Sequence, residues 1–303
     1  MEFDIGIIGT GPAGLSAAIF GQRLGLRCVV FGDTPGGNLI MIEEVQNFPG
    51  FHEGVGGAAL GARIFSQAQK EGAFFPMQPV QRLRKGEDLF IFEAMGEMEF
   101  KASIGIIACG LVPKLDQIPP TNLKGIHLCA TCDGPLYRGR GAVLAIIGGG
   151  NTAAAYAIKL SKIAQMVHII YRGSPLKMEH AMERTVKGLS NVNIWLNTQL
   201  KDFLGEERVE GLRLEAQDKK EEILKVDGVF LAAGWEAKLD FLDMEVKRTP
   251  EGYIWTDAHL MTSVPGLFAA GDVRDTDLRQ IIAACADGAR AANHALEYLQ
   301  GKI

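Results

Sequence analysis

The sequence has no excess of positive charge: 31 Lys and Arg stand against 36 Asp and Glu over 303 residues, a formal net charge of −5. Nucleic acids and anionic membrane surfaces are recognised by a cationic face, so neither is expected as a partner. No apolar run approaches the roughly 18 uninterrupted residues that a membrane span requires. The opening MEFDIGIIGT has neither a cationic leader nor a cleavage site, so it is expected to form a buried strand and not a secretory signal. A cytoplasmic location is expected. Cysteine is scarce and odd in number (Cys28, Cys109, Cys129, Cys132, Cys285), which argues against a structural disulfide framework. Cys129 and Cys132 form a CxxC pair, but no second CxxC or HxxxH follows at a workable spacing. A closed zinc site would lack half its ligands, so no metal site is expected.

What the chain does have is glycine, 37 residues, gathered in short clusters and not in a repeat or linker. Such clusters suit tight backbone approaches to ligands. With 47% hydrophobic and 22% charged residues, the chain has the balance of a folded protein and is long enough for two domains.

Two copies of one arrangement follow. The first is an apolar strand over 4–8, then Gly9-Thr10-Gly11-Pro12-Ala13-Gly14, a helical run LSAAIFGQRLG and a second strand RCVVFGD ending at Asp33. Strand, glycine turn, helix, strand within about thirty residues is the dinucleotide fingerprint. Gly9 permits the turn, Gly11 admits a pyrophosphate, Gly14 lets the helix pack on the sheet, and the helix N-terminus supplies amide donors with Pro12 and Ala13 in its first turn. Asp33 is the candidate for a ribose hydroxyl. The second copy runs over 142–172, with Gly148, Gly150 and then Ala153 in the three glycine positions, and Asn151 and Thr152 opening its helix. A duplicated unit of this kind points to hydride transfer between two bound cofactors.

Residues 265–280, PGLFAAGDVRDTDLRQ, predict a strand running into Gly271-Asp272 and then a helix. Asp272 suits a hydrogen bond to a ribityl or ribose hydroxyl, or equally a helix N-cap. If this segment completes the first nucleotide site, the second unit is inserted into the first domain. The expected domains are 1–112 with 239–303, and an inserted 113–238, with LVPKLDQIPP and GWEAKLDFL as the crossings and candidate hinges. The fold class is α/β: two Rossmann-like, three-layer dinucleotide-binding domains, one within the other.

Two cysteines separated by two residues close a small reducible ring, and a helix beginning at the first lowers its thiolate pKa. Asp133, next to Cys132, can pass protons during thiol exchange. Cys28 and Cys109 fall in apolar strands and Cys285 in a helical stretch of small residues, so these three are read as structural. His127 is read as a packing or surface residue and not as a base.

GTGPAG, GGN followed by EEVQNFPGF, CATCDG, GGGNTA and GDVRDTDLRQ, in this order across nearly the whole chain, resemble the low-molecular-weight thioredoxin reductases. The resemblance implies FAD in the first domain, NADPH in the inserted one, Cys129–Cys132 as the redox-active disulfide and a homodimer. It assigns Gly9, Gly11 and Gly14 to the FAD pyrophosphate. It places Gly37, Asn38 (where the family usually has glutamine) and Asn47 near the cofactor, with Gly271, Asp272, Arg279 and Gln280 on its ribityl and ring side. It further implies that Cys132 lies against the flavin, Cys129 attacks the protein substrate and Asp133 is the acid.

One departure bears on the electron donor. Where NADPH-dependent members carry HRRxxxR, this chain has Tyr171-Arg172-Gly173-Ser174-Pro175-Leu176-Lys177, so one arginine survives, one is glycine and the last is lysine. A 2′-phosphate prefers bidentate arginines. No carboxylate at the strand end favours a 2′-hydroxyl instead, which leaves NADPH, NADH or ferredoxin as donor. The function expected is a flavin-dependent disulfide reductase acting on thioredoxin or a thioredoxin-like protein. The alternatives are a dithiol oxidase using oxygen on the same scaffold and a non-enzymatic electron-transfer module.

Overall fold

The structure is a computed structural model and describes every residue except Met1, Glu43, Glu97, Asp116, Gln117 and Ala233. Asp116 and Gln117 belong to the first expected crossing, which is therefore described only on either side of them.

The chain opens with β1 (Glu2–Ile8), α1 (Pro12–Arg23) and β2 (Cys28–Phe31), followed by α2 (Gly57–Lys70). A hairpin-rich run comes next: β3 (Val80–Lys85), β4 (Phe90–Ala94) and the long β5 (Met98–Ile107). β1 lies between β2 and β5 and pairs with both in parallel, while β3, β4 and the start of β5 pair antiparallel. Unbroken burial along CVVF and along residues 5–8 marks strands covered on both faces, as the apolar runs predict.

Beyond β6 (Val112–Pro113) and β7 (Ile126–His127) the chain makes the single-turn helix α3 (Ala130–Asp133), then β8 (Val143–Ile147), α4 (Asn151–Leu160), β9 (Met166–Ile170), α5 (His180–Lys187) and β10 (Val192–Trp195). The antiparallel β11 (Thr198–Leu204), β12 (Gly211–Ala216) and β13 (Glu221–Lys225) follow, then β14 (Gly228–Leu231). The parallel sheet has the order β10-β9-β8-β14-β7. One face carries α4 through Ala153, Ala154, Ala157 and Leu160. The other is covered by the three-stranded antiparallel sheet through Leu200, Phe203, Leu212 and Leu214. The third layer is thus a sheet, which the strand-helix alternation did not anticipate.

After β15 (Trp235–Glu236) the chain rejoins the first sheet as β16 (Leu267–Ala269), parallel to the end of β5, and closes with α6 (Ile281–Leu299). Two compact units result: Met1–Ile40, Phe48–Val112 and Glu236–Ile303, and a second made of Pro113–Trp235 together with Met41–Asn47. The return to the first unit at 236 has a packing cause, since Ala237, Leu239 and Phe241 belong to its core with Phe31, Phe92 and Leu267. Cys109 lies two residues past β5 and not within a strand.

Candidate redox and dinucleotide sites

In the first unit, β1 ends in Gly9, whose φ of +121° is left-handed and whose added Cβ would run into the Ala108 carbonyl. Gly14 packs equally closely on the Gly9 carbonyl. Gly11 differs: it is the N-cap of α1, no side chain caps the helix, and a Cβ there would meet nothing within 4 Å. Open space in front of uncapped amides at a helix N-terminus fits an anionic pyrophosphate. Gly37 approaches the same turn, its Cβ position lying 3.0 Å from Gly11 Cα. Asp33 is exposed after β2 and accepts a hydrogen bond from Thr34 Oγ1 at 2.9 Å. Asn38 is engaged through Nδ2, which donates to the Leu111 carbonyl at 2.8 Å. Asn47 groups with the second unit.

Asp272 sits in a single 3-10 turn after β16, while α6 begins only at Ile281 with Gln280 as its N-cap. The N-cap reading of Asp272 is therefore removed. Burial pushes its carboxyl up to about 6, against the lowering charge of Arg279. Arg279 lies over the Tyr253 ring at 4.1 Å, and its buried Nε has no partner among the described residues. A residue the sequence reading missed holds this turn in place. Asp287, on the buried face of α6, accepts from Arg274 Nε at 2.7 Å and from the Gly271 amide at 3.2 Å. Its signal was an acid within the small-residue stretch AACADGARAA of α6.

In the second unit, Cys129 and Cys132 form a disulfide with Cα atoms 5.3 Å apart. Cys129 is the N-cap of α3, its sulfur accepting from the Cys132 amide at 3.2 Å. Cys132 is buried and Cys129 half-buried. Asp133 is 2% exposed; its Oδ2 lies 3.4 Å from His127 Nδ1, and its Oδ1 has no hydrogen-bond partner among the described residues. His127, itself buried, reaches Tyr137 Oη through Nε2 at 2.7 Å and stacks on Phe230. Of the two readings of His127, packing and surface, the structure keeps the first: the ring is buried and packed on Phe230. It belongs to a buried polar string, Tyr137–His127–Asp133, that ends beside Cys132. The parity of β7 that turns His127 inward was not visible in a two-residue strand.

The second glycine turn opens on a cleft of about 430 Å³ lined by Gly148, Gly149, Gly150, Thr152, Arg172 and Lys177 among others. Gly148 has φ +146°, and Gly150 is the uncapped N-cap of α4. A Cβ on Gly150 would meet only the Lys177 carbonyl, at 3.7 Å. Asn151 does not face the cleft freely: it exchanges hydrogen bonds with Glu179, Oδ1 accepting from the Glu179 amide at 2.8 Å. Ala153 is fully buried under the helix, the packing role of the third position. Lys114 also lines the cleft, so three cations do, and among the described lining residues none is acidic. The volume is ordinary for a small-molecule site.

Comparison with known proteins now decides the family. Residues 3–288 match the pyridine nucleotide-disulphide oxidoreductase family. The chain belongs to that family. Within it, the chain is 33% identical to the thioredoxin reductase of Mycoplasma genitalium, over 95% of this chain and 93% of that one. It is 36% identical to the NADPH-dependent thioredoxin reductase 3 of Arabidopsis thaliana over 98% of this chain, but spans only 58% of that protein's length. The crystal structure of the Streptococcus pyogenes thioredoxin reductase superposes with a TM-score of 0.91 at 29% identity, covering 99% of both chains. These relatives place the chain among low-molecular-weight thioredoxin reductases, flavoproteins that also use a pyridine nucleotide. Since the named relatives are reductases, the oxidase alternative is not favoured. No helix among the described residues is long and apolar enough to cross a membrane.

Proposed function

We propose that this oxidoreductase reduces the disulfide of thioredoxin or a thioredoxin-like protein, with FAD held by the first unit and NADPH by the second. The observation that carries the reading is the Cys129–Cys132 disulfide capping α3 beside a buried Asp133, in a chain with two open, uncapped glycine turns. FAD, when bound, supplies the electron pair that opens the disulfide. Gly9, Gly11 and Gly14 would hold its pyrophosphate and Asp272 its hydroxyls.

The rest is thiol chemistry on this chain. Reduced Cys129, as thiolate at the N-terminus of α3, attacks a sulfur of the substrate disulfide and forms a mixed disulfide. The departing substrate thiolate takes a proton from Asp133. Cys132 then gives its proton to the Asp133 carboxylate and attacks Cys129 sulfur. The Cys129–Cys132 bond reforms, and the second substrate thiolate leaves. One disulfide is reduced and one is formed; Asp133 regains from Cys132 the proton it gave and ends protonated as it began, and the second substrate thiolate takes its proton from solvent. His127 is a positioning residue: it fixes the Asp133 carboxyl and connects it to Tyr137.

For the donor, NADPH is favoured over NADH. A 2′-phosphate seeks cations and a 2′-hydroxyl a carboxylate, and the cleft offers Lys114, Arg172 and Lys177 with no acid among its described lining residues. A homodimer and a cytosolic location are part of the same proposal, supported by the family resemblance. The test is steady-state reduction of a thioredoxin disulfide by the holoprotein with each nucleotide. Turnover with NADPH exceeding that with NADH, a rise of about tenfold in KM for NADPH alone in Arg172→Ala, and loss of turnover in Cys129→Ser are expected. Turnover sustained only by ferredoxin would overturn the donor assignment, and turnover that survives Cys129→Ser would overturn the whole reading.

A further inference from the structure

Three side chains of the first unit, remote in sequence from every redox motif, converge where the loop around residues 257–261 meets the last turns of α6. His259, His294 and Glu297 offer ligand atoms that all lie within 4.8 Å of one another. His294 Nδ1 is 2.9 Å from Glu297 Oε2, and the rings of His259 and His294 meet edge to face with centroids 4.9 Å apart. We propose that His259, His294 and Glu297 bind a divalent transition-metal ion of the zinc type, in a three-ligand site open to water at the remaining position.

The placement follows from local structure. Residues three apart on a helix are neighbours on one face, so His294 and Glu297 project together. The third ligand comes from a loop that is held: Asp257 Oδ1 accepts from the amides of His259 and Met261, both at 2.9 Å, and Arg290 donates to the Ala258 carbonyl at 3.0 Å. Leu260 adopts the left-handed region, φ +65°, and is 1% exposed, so the loop buries that side chain while keeping His259 beside α6. Asn293 Nδ2 donates to Glu297 Oε1 at 3.0 Å, which leaves Oε2 toward the histidines, the kind of outer contact that orients a ligand.

The donor set selects the ion class. Two imidazoles and one carboxylate suit Zn²⁺, Co²⁺ or Ni²⁺, whereas Mg²⁺ and Ca²⁺ call for all-oxygen sites. Zn–N bonds of about 2.0–2.1 Å put neighbouring tetrahedral ligands about 3.4 Å apart. His294 Nδ1 and Glu297 Oε2 are 2.9 Å apart and no pair of ligand atoms is more than 4.8 Å apart, so side-chain shifts of about 1 Å close the site. A bound ion would cross-link the loop to α6, the helix that carries Asp287.

The experiment is equilibrium dialysis of tag-free, air-oxidised holoprotein against Zn²⁺, with metal per chain read by atomic emission. Oxidation removes Cys129 and Cys132 as competing ligands. Burial pushes the Cys28 and Cys109 thiols up to about 12, so they do not compete either. The expected result is one saturable Zn²⁺ per chain. Binding weakens at least about tenfold in His259→Ala and in Glu297→Gln, and stays unchanged in His52→Ala, whose histidine lies elsewhere on the surface. Glu297→Gln preserves shape, so a folding failure of the alanine variant leaves the test intact. No saturable uptake, or uptake that His259→Ala and Glu297→Gln leave unchanged, would overturn the proposal.

Discussion

Asp133 is a buried carboxyl with one oxygen toward His127 and the other without a partner among the described residues, an arrangement costly unless the group exchanges protons. The other titratable groups packed around it are Tyr137 and Tyr156, the latter pushed up to about 12 by burial. His127→Asn should lower thioredoxin turnover by about tenfold to a hundredfold and displace the rate-against-pH profile. Tyr137→Phe should have a smaller effect in the same direction. A merely structural role would lower flavin content or Tm and leave the profile in place.

Asp272 carries a second prediction at this scale. Its carboxyl titrates near 6 in the folded protein against an ordinary 3.8, so the folded state binds the proton more tightly and stability falls as pH rises between those values. Well below 3.8 the group is protonated in both states and costs nothing. In flavin-free protein, Asp272→Asn should therefore stabilise by about 2–3 kcal/mol at pH 8 and by little at pH 4, as read by urea unfolding. At the same time it should weaken FAD retention.

Among the elements, the two glycines along α1 and α6 separate ligand space from packing space. Gly288 of α6 lies against α1 so closely that a Cβ would strike the Ala13 carbonyl, whereas a Cβ on Gly11 meets nothing. Gly288→Ala should cost about 1–3 kcal/mol by overpacking. Gly11→Ala, whose φ of −82° any residue accepts, should leave Tm of the flavin-free protein unchanged and strip the flavin. The ratio of flavin absorbance to protein, measured beside Tm, distinguishes the two. Equal loss of stability in both would mean that the space before Gly11 is not a cofactor site.

For the molecule as a whole, the βαβ units were legible because their strands are apolar on both faces and their turns carry glycines at fixed offsets. The Cys129–Cys132 disulfide was legible because its two cysteines are close neighbours in sequence. What escaped the sequence depends on contacts between distant segments. His127 meets Tyr137 only through the turn after α3, Asp287 reaches Gly271 across sixteen residues, and His259 meets His294 only when the chain returns to the first sheet. The return point at Trp235–Glu236 and the grouping of Met41–Asn47 with the second unit likewise depend on packing that no local pattern announces.

The central claim is that the Cys129–Cys132 disulfide exchanges electrons with the flavin. Anaerobic reductive titration of the holoprotein, followed by flavin absorbance, tests it most directly. The account predicts that the wild type takes up two electron pairs per flavin before full bleaching, one for the cofactor and one for the disulfide, and that Cys129→Ser with Cys132→Ser takes up one. Bleaching complete after a single pair in both proteins would contradict it.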